Sequence, residues 1–172
     1  LKMIAEPFRP PVADVRALTG TFEFTGDSVW WKGARAQFPT TRVAGDGRYY
    51  INNGDLHLRL HGDPVSPADI RWAMPHLPTQ GSGKLDFGLD WIGDKSVYLA
   101  RNLDVTLEHS HVTGQIQVTV TDTLAYKDAD LHFTTLDTRL LTQLFPTMKF
   151  PRPLTLTGQA KFAGGEHSLL VN

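Results

Sequence analysis

The chain has no cysteine. That absence removes disulfides, thiolate nucleophiles and cysteine-ligated zinc together. It leaves the compartment open, because disulfide-free proteins occur on both sides of a bacterial inner membrane. Charge of one sign is equally scarce: 17 Lys and Arg stand against 18 Asp and Glu, for a net charge of -1. The charges are scattered singly, so no basic stripe draws phosphate backbones, and nucleic acid is not expected as a partner. No apolar run approaches the ~18 residues of a membrane-spanning helix. No secretory leader is legible. The chain begins Leu1-Lys2-Met3 and stops at Leu169-Leu170-Val171-Asn172, as if in the middle of a strand. Targeting information is therefore expected outside this stretch. Also missing are a Gly-x-Ser-x-Gly elbow, a P-loop and a Gly-x-Gly-x-x-Gly turn, so an enzyme is not expected.

What is present reads as β-structure. Of the 172 residues, 41% are apolar and 20% charged, the make-up of one globular domain. Apolar and polar residues alternate with the period of a strand that has one greasy face. Leu56, Leu58 and Leu60 alternate with His57 and Arg59, and Leu85, Phe87, Leu89 and Trp91 with Asp86 and Asp90. Leu103, Val105 and Leu107 do the same, as do Ile116, Val118 and Val120. Asn53-Gly54 predicts a hairpin turn, and Gly26-Asp27 and Gly93-Asp94 serve similarly.

Two segments break the alternation. Ser66-Pro67-Ala68-Asp69 offers an N-cap, a first-turn proline and a capping-box acid, and predicts a helix over Ser66–Met74. Thr134-Thr135-Leu136-Asp137 repeats the cap-and-acid spacing. Leu136, Leu140, Leu141 and Leu144 then recur at helical intervals up to Pro146, which predicts a second helix over Leu136–Phe145. The markers also recur at long range. Asp69-Ile70-Arg71 returns as Asp137-Thr138-Arg139 after 68 residues, Val43-Ala44-Gly45 as Val112-Thr113-Gly114 after 69, and Asp55-Leu56-His57 as Asp130-Leu131-His132 after 75. Gly20, Gly83 and Gly158 each open a strand that follows a proline-rich lead-in. We read a repeat array with unit one at about 8–76, unit two at about 77–149 and the start of a third at 150–172. Such units bury their apolar faces against neighbours.

The order of markers resembles a family. A Gly-x-aromatic-x-Phe strand and a Gly-Asp turn precede Ser-Val-Trp-Trp-Lys-Gly-Ala-Arg-Ala-Gln-Phe (28–38) and Val-x-Gly-x-Gly-x-Tyr (43–49). Together with their counterparts at 96–105 and 112–116 they are similar to the AsmA-like and TamB-like proteins of Gram-negative envelopes, over about residues 13–172. The resemblance implies an all-β fold: an elongated, twisted antiparallel sheet folded into a trough, the β-taco. The two short helices are unneeded in a plain trough and keep a β-sandwich as the alternative. The resemblance further implies a periplasmic, non-enzymatic bridge segment, anchored in the inner membrane outside this stretch. Its partners would be phospholipid or another acyl-chain lipid, neighbouring repeats of the same chain, and envelope proteins. The expected lipid groove comprises Phe22, Phe24, Val29, Trp31, Leu56, Leu58, Leu60, Leu85, Phe87, Leu89, Trp91, Leu103, Val105, Leu107, Ile116, Val118 and Val120. The rival is a structural or adhesive β-repeat with a dry core that binds protein or glycan.

Other residue constellations point to less. His109 and His111, at i and i+2, supply half a metal site at most, with Glu108 on the opposite face, so no metal or cofactor is expected. Asp86 and Asp90 share a strand face roughly 13 Å apart at a strand's rise, too far for a glycosidase pair. Asp128 and Asp130 lack the shaped loop that calcium needs. His57 and His132 read as outward-facing strand residues. Trp30 and Tyr50 point away from the greasy face, as surface aromatics suited to stacking on a sugar or headgroup.

Overall fold

The computed structural model describes residues 14–72, 75–144, 149–165 and 168–171. Strands follow one another as β1 (Ala17–Thr25), β2 (Ser28–Gln37), β3 (Arg42–Tyr50), β4 (Leu56–Val65), β5 (Gly81–Ile92), β6 (Lys95–Leu107), β7 (Ser110–Val120), β8 (Leu124–Asp137), β9 (Thr155–Gly165) and β10 (Ser168–Val171). Helix α1 (Pro67–Ile70) joins β4 to β5, and α2 (Thr138–Leu144) joins β8 to β9. The ten strands form one sheet in sequence order, each antiparallel to the next. The all-β expectation holds, and the open, curled sheet is consistent with a trough. The sandwich alternative does not. Among the described residues there is no second sheet, and substantial contacts run only between consecutive strands and between each helix and one flanking strand.

Short connections impose this meander. Gly26-Asp27 and Gly93-Asp94 fill the two-residue gaps between β1 and β2 and between β5 and β6, with glycine φ values of +47° and +55°. Asn53-Gly54 belongs instead to a five-residue loop, Ile51–Asp55. There the Asn53 side chain accepts the Asp55 N–H at 3.1 Å, an Asx turn that outcompetes the two-residue hairpin. Curl has a local source as well. The register slips at Gly33 on β2, Asn102 on β6 and Asp128 on β8. These residues have φ of +54°, +48° and +51°. Each is an extra residue in one strand, which bends it and sharpens its right-handed twist.

Both helices are shorter than the sequence predicts. Helix α1 spans only Pro67–Ile70, and Met74 lies outside the described residues. Ser66 is its N-cap without a side-chain cap bond. The capping box does not form, because the Asp69 carboxylate accepts the Thr40 N–H and hydroxyl, both at 2.8 Å. In the second case Thr134–Asp137 stay in β8, held by the pairs Leu136↔Leu156 and Asp137↔Thr155. Helix α2 therefore begins at Thr138, after Asp137 accepts the Arg139 N–H at 2.9 Å; Phe145 lies outside the described residues.

Both helices sit at the same strand ends, and there the buried side chains gather. Val65, Leu77, Leu136 and Leu140 are 9%, 8%, 6% and 3% exposed. Two hydroxyls, 69 residues apart, are buried with them. Thr41 Oγ1 accepts the Ser66 N–H at 2.7 Å, and Ser110 Oγ accepts the Asp137 N–H at 3.0 Å. Thr138 completes the end by exchanging two 2.9 Å bonds with the backbone of Leu154. Gly20, Gly83 and Gly158 lie on β1, β5 and β9. A Cβ on Gly20 would press on Ala34 and one on Gly83 on β6, whereas Gly158 faces open space. The difference arises because β10 pairs only with Phe162–Gly165 of β9.

Candidate functional site: an open apolar face

Directly paired residues of adjacent strands share a face, so the register lays out the surface row by row. One row runs Phe22, Trp31, Gly47, Leu58, Leu89, Tyr98, Val118, Tyr126. The next runs Phe24, Val29, Tyr49, Leu56, Trp91, Ser96, Val120, Leu124. On the helix side follow Leu60, Phe87, Ala100 and Ile116, then Leu103, Gly114 and Leu131, and Val105, Val112 and Phe133. Leu85 faces Gly62, and Leu107 faces Gly81 and Ser110. Every residue expected in the groove thus stands on one face, across strands spaced about 4.8 Å apart.

That face is not covered. Leu56, Leu58, Leu60, Leu85, Phe87 and Leu89 are half-buried, while Phe22, Phe24 and Trp91 are 51%, 67% and 52% exposed. Adjacent side chains shield one another, and no described residue lies across them. The sequence reading missed Tyr49, Tyr98, Tyr126, Leu131 and Phe133. On β3 the signal is diluted by Gly45 and Gly47, which take the places of large apolar residues. The indole of Trp31 lies over Gly47, where any Cβ would strike the ring. On β8 the bulge at Asp128 shifts the alternation by one residue.

The opposite face is wet and cross-linked by carboxylates. His57 Nδ1 meets Asp90 Oδ1 at 2.8 Å and Arg59 meets Asp90 Oδ2 at 2.7 Å. His61 pairs with Asp86 at 2.7 Å, His111 with Asp104 at 2.9 Å, and His132 with Asp130 at 3.3 Å. These bonds hold the acids below the ordinary aspartate range: Asp86 through His61 and then Asn102, Asp90 chiefly through Arg59, Asp104 through His111, and Asp130 through Gln159. Asp86 and Asp90 are each committed to their own partners. His109 falls in the β6–β7 turn rather than on a strand with His111. Among the described residues, no three His, Asp or Glu side chains are grouped so as to hold a metal. Three shallow depressions, of about 350, 420 and 170 Å³, all open on this wet face. Of the expected groove residues only Trp31 and Ile116 border these hollows; the others form an open surface.

Neither family models, nor curated proteins, nor solved structures yield a match to this chain. No described helix is long and apolar enough to cross a membrane, which says nothing about strands.

Proposed function

We propose that this chain is a non-enzymatic lipid-conduit segment that holds phospholipid acyl chains against the apolar face of its sheet. The observation that carries the reading is a continuous apolar face, from Phe22 on β1 to Phe133 on β8, with no second layer over it among the described residues. A face of that size seeks an apolar partner. Burial is worth about 0.8 kcal/mol per methylene. About ten covered methylenes thus supply about 8 kcal/mol, within the range of freedom lost on association. Such contacts are non-directional, so a chain can slide along the rows.

The resemblance of the sequence markers to AsmA-like and TamB-like proteins supports the same reading, and with it a periplasmic position within a longer membrane-anchored bridge. The long outer edge of β1, exposed along its whole length, suits pairing with a neighbouring repeat. The rival, a dry-cored adhesive module, requires a covering layer for which the described residues offer no candidate. Mass spectrometry of the purified protein tests the choice. Co-purifying phospholipid, lost on Val105→Asp while the circular dichroism spectrum is kept, is the expected result. Lipid-free protein whose fold collapses on the same substitution favours the rival.

A further inference from the structure

The wet face carries a second feature that the conduit does not use. Arg48, on β3, lies between Trp30 and Tyr50, its guanidinium carbon 4.1 Å and 3.9 Å from the two ring centroids. Both rings therefore stack on the planar cation, and only its edge is left for hydrogen bonding. That edge is poorly satisfied. Its Nη2 donates to Ser28 Oγ at 3.4 Å, the long limit of a hydrogen bond. Its Nε is buried with no hydrogen-bond partner among the described residues, so that donor's desolvation is not made good by a hydrogen bond.

The acids close by are otherwise engaged. Glu23 accepts from Lys32 at 2.8 Å, Asp90 is held by Arg59 and His57 at 2.7 and 2.8 Å, and Asp46 accepts the Gly33 N–H at 2.7 Å. Beside Arg48 opens a depression of about 420 Å³ whose lining includes Trp30, Lys32, Asp46, Arg48, His57 and Arg59. Of the three permanent cations there, Lys32 is paired with Glu23 and Arg59 with Asp90, so Arg48 is the one that no described carboxylate holds; Asp46, in the same lining, is bonded to a backbone N–H.

We propose that this depression binds a phosphate group. A tetrahedral oxyanion accepts donors from several directions at once, which suits Lys32, Arg48 and Arg59 around one hollow; a planar carboxylate uses fewer of them. The stacked guanidinium is already fixed in orientation, so little freedom is lost on binding. The site lies on the face opposite the apolar rows, and the proposal does not rest on the lipid reading.

Titration calorimetry of the whole chain with inorganic phosphate, beside flotation with phosphatidylcholine vesicles with and without phosphatidic acid, tests it. Saturable phosphate binding is expected, weakened at least about tenfold in Arg48→Gln and in Arg48→Lys, which keeps charge but loses the planar fork. Lys127→Gln, an exposed cation on β8, should bind as the parent does. Should Arg48→Gln fail to fold, Arg48→Lys carries the test alone. Phosphate bound with vesicles left free assigns a soluble phosphate compound as the ligand. Binding of phosphate together with Arg48-dependent flotation on phosphatidic acid assigns a lipid headgroup. A parent that binds neither probe, or a folded Arg48→Lys that binds both as well as the parent, overturns the proposal.

Discussion

The helix-bearing end of the sheet and the apolar face beside it are built from the same strands, yet they are organised differently. At the helix end Leu136, Leu140, Val65 and Leu77 are buried, and the Thr41, Ser110 and Thr138 hydroxyls each satisfy a backbone N–H. On the open face even the central Leu58 and Phe87 are only half-buried. Stability is therefore concentrated at one edge, and the rest of the sheet is held by its backbone ladder and by cross-strand pairs worth about 0.2–1 kcal/mol each. The open face is left available for function.

The largest effect is expected where the comparison is sharpest. Leu140→Ala removes a side chain that is 3% exposed, and truncation of a buried leucine costs about 2–5 kcal/mol. Thr41→Val keeps the shape but strips the partner from the buried Ser66 N–H, for about 1–3 kcal/mol. Urea denaturation of both variants checks this. If Leu140→Ala shifts the midpoint no further than Leu58→Ala on the open face, the helix end is not the stable part.

Leu58→Asp tests the other half of the comparison. In a closed core an unpaired carboxylate is among the most damaging substitutions. Here Leu58 is half-buried with no described residue above it, so the charge stays hydrated. We expect a folded protein, destabilised by about 1 kcal/mol, that no longer crosslinks to a photoactivatable fatty acid. Crosslinking equal to that of the parent would sink the conduit.

The open face was largely legible in the sequence, and the packed end was not. Strict alternation exposes β4, β5, β6 and β7, since every second residue must meet either water or grease. The helix end depends on single hydroxyls at Thr41 and Ser110, whose burial follows from which turn lies beneath them. Local sequence does not carry that information. Ser66 does stand at the N-cap position, but its side chain makes no cap bond, and Asp69 has a better partner across the sheet than along the chain. Tertiary bonds of this kind shorten helices that propensity alone would extend.

The wet face should respond to acid where the apolar face does not. Asp90 has its pKa lowered, mainly by its bond to Arg59, and its side chain is 19% exposed. A carboxyl with a folded-state pKa below its unfolded value stabilises the protein above the unfolded pKa. That contribution is lost as pH falls through the lower, folded value, below about pH 4. Asp90→Asn should thus lower the urea midpoint at pH 7 and shrink the loss between pH 7 and pH 3. An unchanged acid profile would mean that the His57–Asp90–Arg59 cluster contributes nothing.

The smallest effect on stability is expected at the outer rim. Phe24 is 67% exposed and lies on the first strand of the sheet, directly opposite Val29. Little area returns to water when the ring is removed, so Phe24→Ala should alter unfolding free energy by no more than about 0.5 kcal/mol. Its effect on lipid is a different matter. If acyl chains cover the rows from Phe24 to Leu124, the ring loses its exposure on binding and contributes in proportion to the area then buried. Fatty-acid affinity should fall about threefold to tenfold, at roughly 0.6–1.4 kcal/mol. The dissociation between the two measurements is the diagnostic. A residue that matters to the fold and not to lipid would place Phe24 in a core, whereas one that matters to lipid and not to the fold places it on a binding surface. Thermal melts and a fluorescent fatty-acid titration on the same preparation decide between them.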